Sequence, residues 1–291
     1  MSETHRRPPK FPLRLDQMAT PRKTLVKAPE STSPKTPAAA APAAPPRHVL
    51  RPQQPLQHAA AVAARRAPPT GLGLDSAGVR LRMVERLRAE GLRHEAVLAA
   101  LAEVPRHRFV DAALVTQAYE DTSLPIGHGQ TISKPSVVGR MIELLMGGAN
   151  AQAQGRLGKV LEIGTGCGYQ AALLARLSRQ VFSVERVKPL HDKARELMAP
   201  LGVANARLVY GDGMLGHPPN APYDGIIAAA GGDALPPAWL DQLAVGGRIV
   251  APVLDGPARQ VLVVVDRTEH GCERSVHEVV QFVPLRSGLV R

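Results

Sequence analysis

Two clusters of residues in this 291-residue chain have the types and spacing that chemistry needs. The first is Lys159-Val-Leu-Glu-Ile-Gly164-Thr-Gly166-Cys-Gly168-Tyr-Gln170, which reads as an apolar strand, a glycine-rich turn and the start of a helix. Glycines permit positive φ and let a ligand approach the backbone. The helix N-terminus that follows receives a polar or anionic group. Glu185 stands 21 residues after Gly164, just past a second strand, where an acid can accept hydrogen bonds from ribose hydroxyls. Gly211-Asp212-Gly213 follows a third strand and brings another carboxylate to the same sheet edge. Asp212 alone also reads as a turn-forming residue, and Glu185 alone as a solvated strand-end charge. Their joint register with the glycines is what favours a cofactor. The spacing is G-x-G-x-G and not the dinucleotide G-x-G-x-x-G, and Glu162 puts an acid inside the first strand.

The second cluster lies upstream, in Asp121-Thr-Ser-Leu-Pro-Ile-Gly-His-Gly-Gln-Thr-Ile-Ser-Lys-Pro135. Ser133, two residues before a proline that opens a helix, has the position of an N-cap; Thr131 could take that role or shape the loop. His128 reads as a surface histidine. Cys167, inside the glycine turn, reads as a small packed residue and not as a nucleophile.

Both clusters need a scaffold, and the hydrophobic pattern supplies one. Val79, Met83, Val84 and Leu87 recur at helical spacing, with Gly91 as a stop. A second helix spans about 94–103, and a third, 136–146, closes a helical subdomain over 76–148. After Gly158, strands are expected at 159–163, 180–184, 206–210, 223–228, 248–253, 260–266 and 277–283, with helices at 169–177, 189–201 and 237–243. Near-continuous apolar strands alternating with helices imply a mostly parallel sheet covered on both faces. The short connection between the last two strands makes them antiparallel.

Residues 1–70 differ in kind. They hold 14 of the 27 prolines and carry +9 of the formal +11 charge, so the remaining 221 residues are close to neutral. With Phe11 as its only aromatic residue, this segment buries too little to offset ordering entropy and reads as a disordered tail. A polybasic tether to RNA, membrane or a partner is the other reading. The near-neutral remainder does not call for a nucleic-acid face. Two cysteines, Cys167 and Cys272, make neither a disulfide framework nor a C-x-x-C metal site, which fits a reducing, cytoplasmic setting. No apolar run reaches the length of a membrane span.

The glycine spacing and Glu162 resemble motif I of the class I methyltransferases, and the upstream loop narrows the resemblance. Leu124-Pro-Ile-Gly127 followed by Gln130-Thr-Ile-Ser-Lys-Pro135 resembles the signature of the protein-L-isoaspartate O-methyltransferases. Val104-Pro-Arg-His-Arg-Phe-Val-Asp111, Ser183-Val-Glu-Arg186, Gly211-Asp-Gly213, Arg248-Ile-Val-Ala-Pro252 and Phe282-Val-Pro-Leu285 extend it over residues 79–291. The resemblance implies a Rossmann-like class I fold, with a seven-stranded sheet in a core of 158–291. It implies S-adenosylmethionine held by Glu162, Gly164, Gly166, Gly168, Glu185, Asp212 and Gly213, and Ser133 as the active-site serine. It further implies methylation of L-isoaspartyl carboxylates in damaged proteins, by a monomer that needs no metal, membrane or nucleic acid. The acceptor carboxylate is already ionised at pH 7, so no general base is required, and α-helical N–H groups after Pro135 would favour it. One departure stands out: the family often shows Ala-Ala-Pro where this chain has Ala229-Ala-Gly-Gly-Asp233, which predicts a looser acceptor pocket. A different class I methyltransferase, acting on RNA or a small molecule, and a binding module without turnover are the rivals. Against base methylation, the place of an Asp/Asn-Pro-Pro-aromatic motif reads Asp224-Gly-Ile-Ile-Ala.

Overall fold

The computed structural model describes residues 77–256 and 259–291. The segment read as a disordered tail lies outside the described residues. Helix α1 (Ala77–Ala89) buries Met83, Val84 and Leu87, and Gly91 at φ +110° ends it as expected. Helix α2 (Glu95–Glu103) buries Val97, Leu98, Ala100 and Leu101. Two 3₁₀ turns follow, Arg106–Phe109 and Ala112–Gln117. The stretch read as loop contains a small antiparallel hairpin, β1 (Leu124–Gly127) with β2 (Gln130–Ile132). Helix α3 (Pro135–Met146) then packs Val138, Met141, Ile142 and Leu145 inward. A short helix not foreseen from sequence, α4 (Ala149–Gln154), completes this part. Its Ala-Asn-Ala-Gln run has no apolar stripe to betray it, since only Ala151 is buried.

The remaining elements are β3 (Leu157–Ile163), α5 (Tyr169–Leu177), β4 (Ser178–Glu185), α6 (Lys188–Met198), β5 (Ala206–Tyr210), β6 (Tyr223–Ala228), α7 (Pro237–Asp241), β7 (Leu243–Leu254), β8 (Gln260–Thr268) and β9 (Gly271–Val280). They build one seven-stranded sheet of order β5-β4-β3-β6-β7-β8-β9. Pairings from β5 through β7 are parallel, and both β7–β8 and β8–β9 are antiparallel. The final strand lies earlier than the expected 277–283, because its polar Glu273-Arg-Ser275 face is exposed at a sheet edge and shows no apolar run. Phe282 and Val283 leave the sheet altogether.

Side chains of β3 alternate between two cores. Leu161 and Ile163 join Phe182, Ile226, Trp239 and Ile249 on one face, while Leu157 and Val160 join the helical subdomain on the other. That is the pattern of strands buried on both sides. The chain runs β3, β4, β5 outward and then returns to place β6 beside β3. Strand order therefore reverses between β3 and β6, the crevice where open α/β sheets bind ligands. Among the described residues no helix is long and apolar enough to cross a membrane, and no group of three or more His, Cys, Asp or Glu could hold a metal ion.

Candidate active site

At that crevice β3 ends in the glycine turn. Gly164, Gly166 and Gly168 have φ of +89°, +55° and +92°. A Cβ on Gly168 would stand 2.9 Å from Met198 Sδ, and one on Gly166 would stand 3.2 Å from Ile126 Cδ1 in the upstream hairpin. The turn is thus bare backbone wedged between α6 and β1. Gly168→Ala is expected to cost about 1–2 kcal/mol from the left-handed conformation alone, measurable by urea unfolding, with a loss of cofactor affinity in parallel.

Glu185, at the end of β4, braces this turn: one carboxylate oxygen accepts Gly166 N–H at 2.9 Å and the other accepts Val187 N–H at 2.9 Å. Each oxygen keeps a second lone-pair site, and Glu185 lines the cavity. Glu162 lies a layer behind. It is fully buried, accepts a hydrogen bond from the Ser183 hydroxyl, and Ser183 in turn meets Thr165 Oγ1 at 2.6 Å. Burial pushes its carboxyl up to about 8, Ser183 and Gln170 oppose this, and the Glu185 charge adds to it. Glu162 Oε1 and Gln170 Nε2 are buried beside each other and meet no other partner. Cys167 is packed in the turn, and burial pushes its thiol up to about 11.

The cavity over the turn has a volume of about 480 Å³. Of the residues singled out from sequence, Ser133, Gly164, Gly166, Glu185 and Gly213 line it; Glu162, Gly168 and Asp212 do not. The Asp212 oxygens accept Met214 N–H at 2.9 Å and Gly288 N–H at 2.6 Å. Gly213 has no room for a side chain, since a Cβ would stand 2.5 Å from Ile163 Cγ2.

Ser133 reaches the cavity from the opposite wall, between β2 and α3. The N-cap expectation is corrected: the cap residue of α3 is Lys134, and its side chain makes no capping bond. Asp121 does that work from fifteen residues upstream, accepting Ser136 N–H at 2.9 Å and the Ser136 hydroxyl at 2.7 Å. The helix N-terminus expected to attract a substrate anion therefore already holds one from the protein. The Ser133 hydroxyl is left without a hydrogen bond among the described residues. His128 sits exposed at the hairpin tip with φ +53°, on the rim of the cavity.

A wall that sequence reasoning did not place in the site comes from residues 283–290. Val283, Pro284, Leu285, Arg286 and Val290 all line the cavity. This strap is stitched across the carboxyl ends of the sheet. Gly231 N–H donates to Val283 O at 2.9 Å, and Leu285 N–H donates to Gly231 O at 2.7 Å. Further along, Arg186 donates to the carbonyls of Gly288 and Ser287, and Val290 N–H donates to Arg186 O. The expected looseness at Gly231-Gly232 is not what the backbone shows. Gly231 is bonded on both sides, and the missing Cβ makes room for the Gln260 amide, which would be 2.7 Å away. The available signal was Phe282-Val-Pro-Leu285, whose resemblance to the family runs past the end of the last expected strand.

The protein-L-isoaspartate(D-aspartate) O-methyltransferase family profile matches residues 80–289. The chain belongs to this family. A protein-L-isoaspartate O-methyltransferase of Methylibium petroleiphilum is 59% identical over 290 residues, covering 99% of each chain. A solved protein-L-isoaspartate O-methyltransferase structure matches with a TM-score of 0.64 at 28% identity, over 72% of this chain and 67% of that one. A chain from Plasmodium falciparum, solved in complex with S-adenosyl-L-homocysteine, shares the fold with a TM-score of 0.59 at 24% identity, over 71% of this chain and 98% of that one. The residues at the crevice suit the methyl donor of the protein-L-isoaspartate O-methyltransferases. The glycine turn offers backbone that no Cβ obstructs, and Glu185 keeps free lone-pair sites facing the cavity.

Proposed function

We propose that this cavity takes S-adenosylmethionine against the glycine turn and an L-isoaspartyl carboxylate against Ser133, so that the chain initiates repair of damaged proteins by methylating that carboxylate. S-adenosylmethionine supplies, when bound, a methyl group on a positively charged sulfur. Gly164 and Gly166 admit it to the backbone, Glu185 accepts from its hydroxyls, and Gly213 keeps bare backbone packed on Ile163 in the cavity wall. Glu162 and Gly168 shape the turn from behind, and Asp212 acts by anchoring the strap at Gly288.

Ser133 donates its hydroxyl to the acceptor carboxylate and fixes one oxygen for attack. The acceptor is ionised near neutral pH, so the chain has no proton to remove from it and no Lewis acid is required. What the site must do is align the reacting atoms and strip water from the nucleophile. The apolar side chains of Ile126, Ile132 and Val138 around Ser133 serve that purpose. The resulting ester is activated toward spontaneous closure to a succinimide, which reopens in part to normal aspartate. The scarcity of cysteine supports a cytoplasmic setting.

The observation that carries this reading is a serine hydroxyl without an internal partner sharing one cavity with the glycine turn and Glu185. The test uses two peptides identical except for L-isoaspartate or L-aspartate, incubated with methyl-labelled S-adenosylmethionine. Base-labile label on the isoaspartyl peptide alone is expected. Equal labelling of both, or of neither with cofactor binding intact, would overturn the substrate assignment.

A further inference from the structure

Beneath the acceptor wall lies a buried cation that the reaction as described does not use. Arg106, in the 3₁₀ turn after α2, is 0% exposed. Its Nε donates to Ala118 O at 2.8 Å and Nη2 donates to Thr122 O at 3.4 Å. Its guanidinium carbon stands 4.9 Å from the ring centroid of Tyr169, the first residue of α5 and part of the cavity wall. Phe109 of the same 3₁₀ turn packs edge-on to that ring at 5.6 Å. No carboxylate forms an ion pair with Arg106 among the described residues. Its Nη1 and the Tyr169 hydroxyl are buried beside each other and meet no other partner. Removing an unneutralised charge from water is expensive, so the geometry it enforces is the clue to why it is there.

We propose that Arg106 is the positioning residue for the acceptor half of the site, tying the stem 118–122 to the start of α5 so that Ser133 faces the glycine turn. The linkage is explicit. Arg106 grips the carbonyls on either side of Asp121, and Asp121 clamps Ser136 through two hydrogen bonds. Ser136 sits in the first turn of α3, three residues beyond Ser133. Fixing the stem thus fixes the rotation of α3 about its start and with it the Ser133 hydroxyl. Arginine suits the task because its planar fork reaches two carbonyls while its face lies on a ring; lysine carries the same charge without that geometry. The buried positive charge has a second effect. The acceptor arrives as an anion and leaves as a neutral ester, so a fixed cation beside Tyr169 favours the substrate over the product.

This inference rests on the function proposed above. Its test compares R106K, D121A and the double variant with the wild-type protein. Readouts are kcat and KM for the isoaspartyl peptide, S-adenosylhomocysteine affinity by calorimetry, and thermal unfolding. R106K and D121A are each expected to lower kcat/KM for the peptide by up to about 100-fold, the cost of a displacement of about 1 Å. Cofactor affinity should stay within about twofold of wild type. Because both act through the same stem, the double variant is expected to lose less than the product of the single losses. D121A, whose side chain is only half-buried, keeps the test open where R106K fails to fold. Cofactor affinity falling in step with kcat/KM, fully multiplicative losses, or unchanged peptide kinetics would overturn the positioning role. Wild-type protein that labels no isoaspartyl peptide would instead overturn the functional reading, and this one with it.

Discussion

Ser133→Ala is expected to lower kcat on an isoaspartyl peptide by about 10²-fold, the usual cost of removing one preorganised donor. S-adenosylhomocysteine affinity and the unfolding midpoint should barely change. The reasoning is geometric. The hydroxyl makes no bond within the described protein, because α3 is capped by Asp121 and not by Ser133. Its removal therefore leaves no internal group unsatisfied, and the loss falls on whatever enters the cavity. Steady-state kinetics alongside calorimetry checks this. A parallel loss of cofactor affinity would show that Ser133 chiefly shapes the loop and would remove it from the reacting centre.

Glu162→Gln is expected to change how stability depends on pH. An exposed glutamate titrates near 4.3, whereas burial pushes Glu162 up to about 8 in the folded chain. Between those values the unfolded chain gives up a proton that the folded chain retains. The proton-linked stabilisation is complete below the unfolded value and is lost as pH rises through about 8, at roughly 1.4 kcal/mol per pH unit in that window. Glutamine has the shape of the protonated acid and cannot ionise. The stability of E162Q relative to wild type should therefore rise steadily from about pH 5 to 8 and level off above. Denaturant melts of both proteins at five pH values would show it. A difference that does not change with pH would mean that Glu162 stays ionised in the fold.

The parts of this protein written in local sequence were legible. Near-continuous apolar runs such as 160–163 and 261–265 declared buried strands, and three glycines after the first of them declared the turn. The parts written in long-range contacts were not. The hairpin β1–β2 pairs only a few residues around Gly127-His-Gly129 and looks like loop in any window. Ser133 looked like a cap because a sequence window cannot see Asp121 fold back onto Ser136. Asp212 was read as a carboxylate at the sheet edge, and its bond to Gly288, 76 residues away, lies outside any sequence window. Gly231-Gly232 looked permissive, yet the space beside Gly231 is taken by the Gln260 side chain from β8 and that beside Gly232 by Leu285 of the strap. Arg106 was visible only as part of a family-like string, since nothing local predicts that a basic residue between Pro105 and His107 will be fully buried.

The strap has a consequence for how the protein assembles. The Arg186–Gly288 bond joins residues 102 positions apart, so closing this wall of the cavity carries the entropy of bringing distant parts of the chain together. The strap's bonds lie outside the ladders of the sheet, so the seam can open locally while the strands stay paired. Any ligand that binds the finished cavity and not its open precursor draws the population toward completion by mass action. A methyl donor bound against the strap would then hold the seam closed as well as supply the reaction.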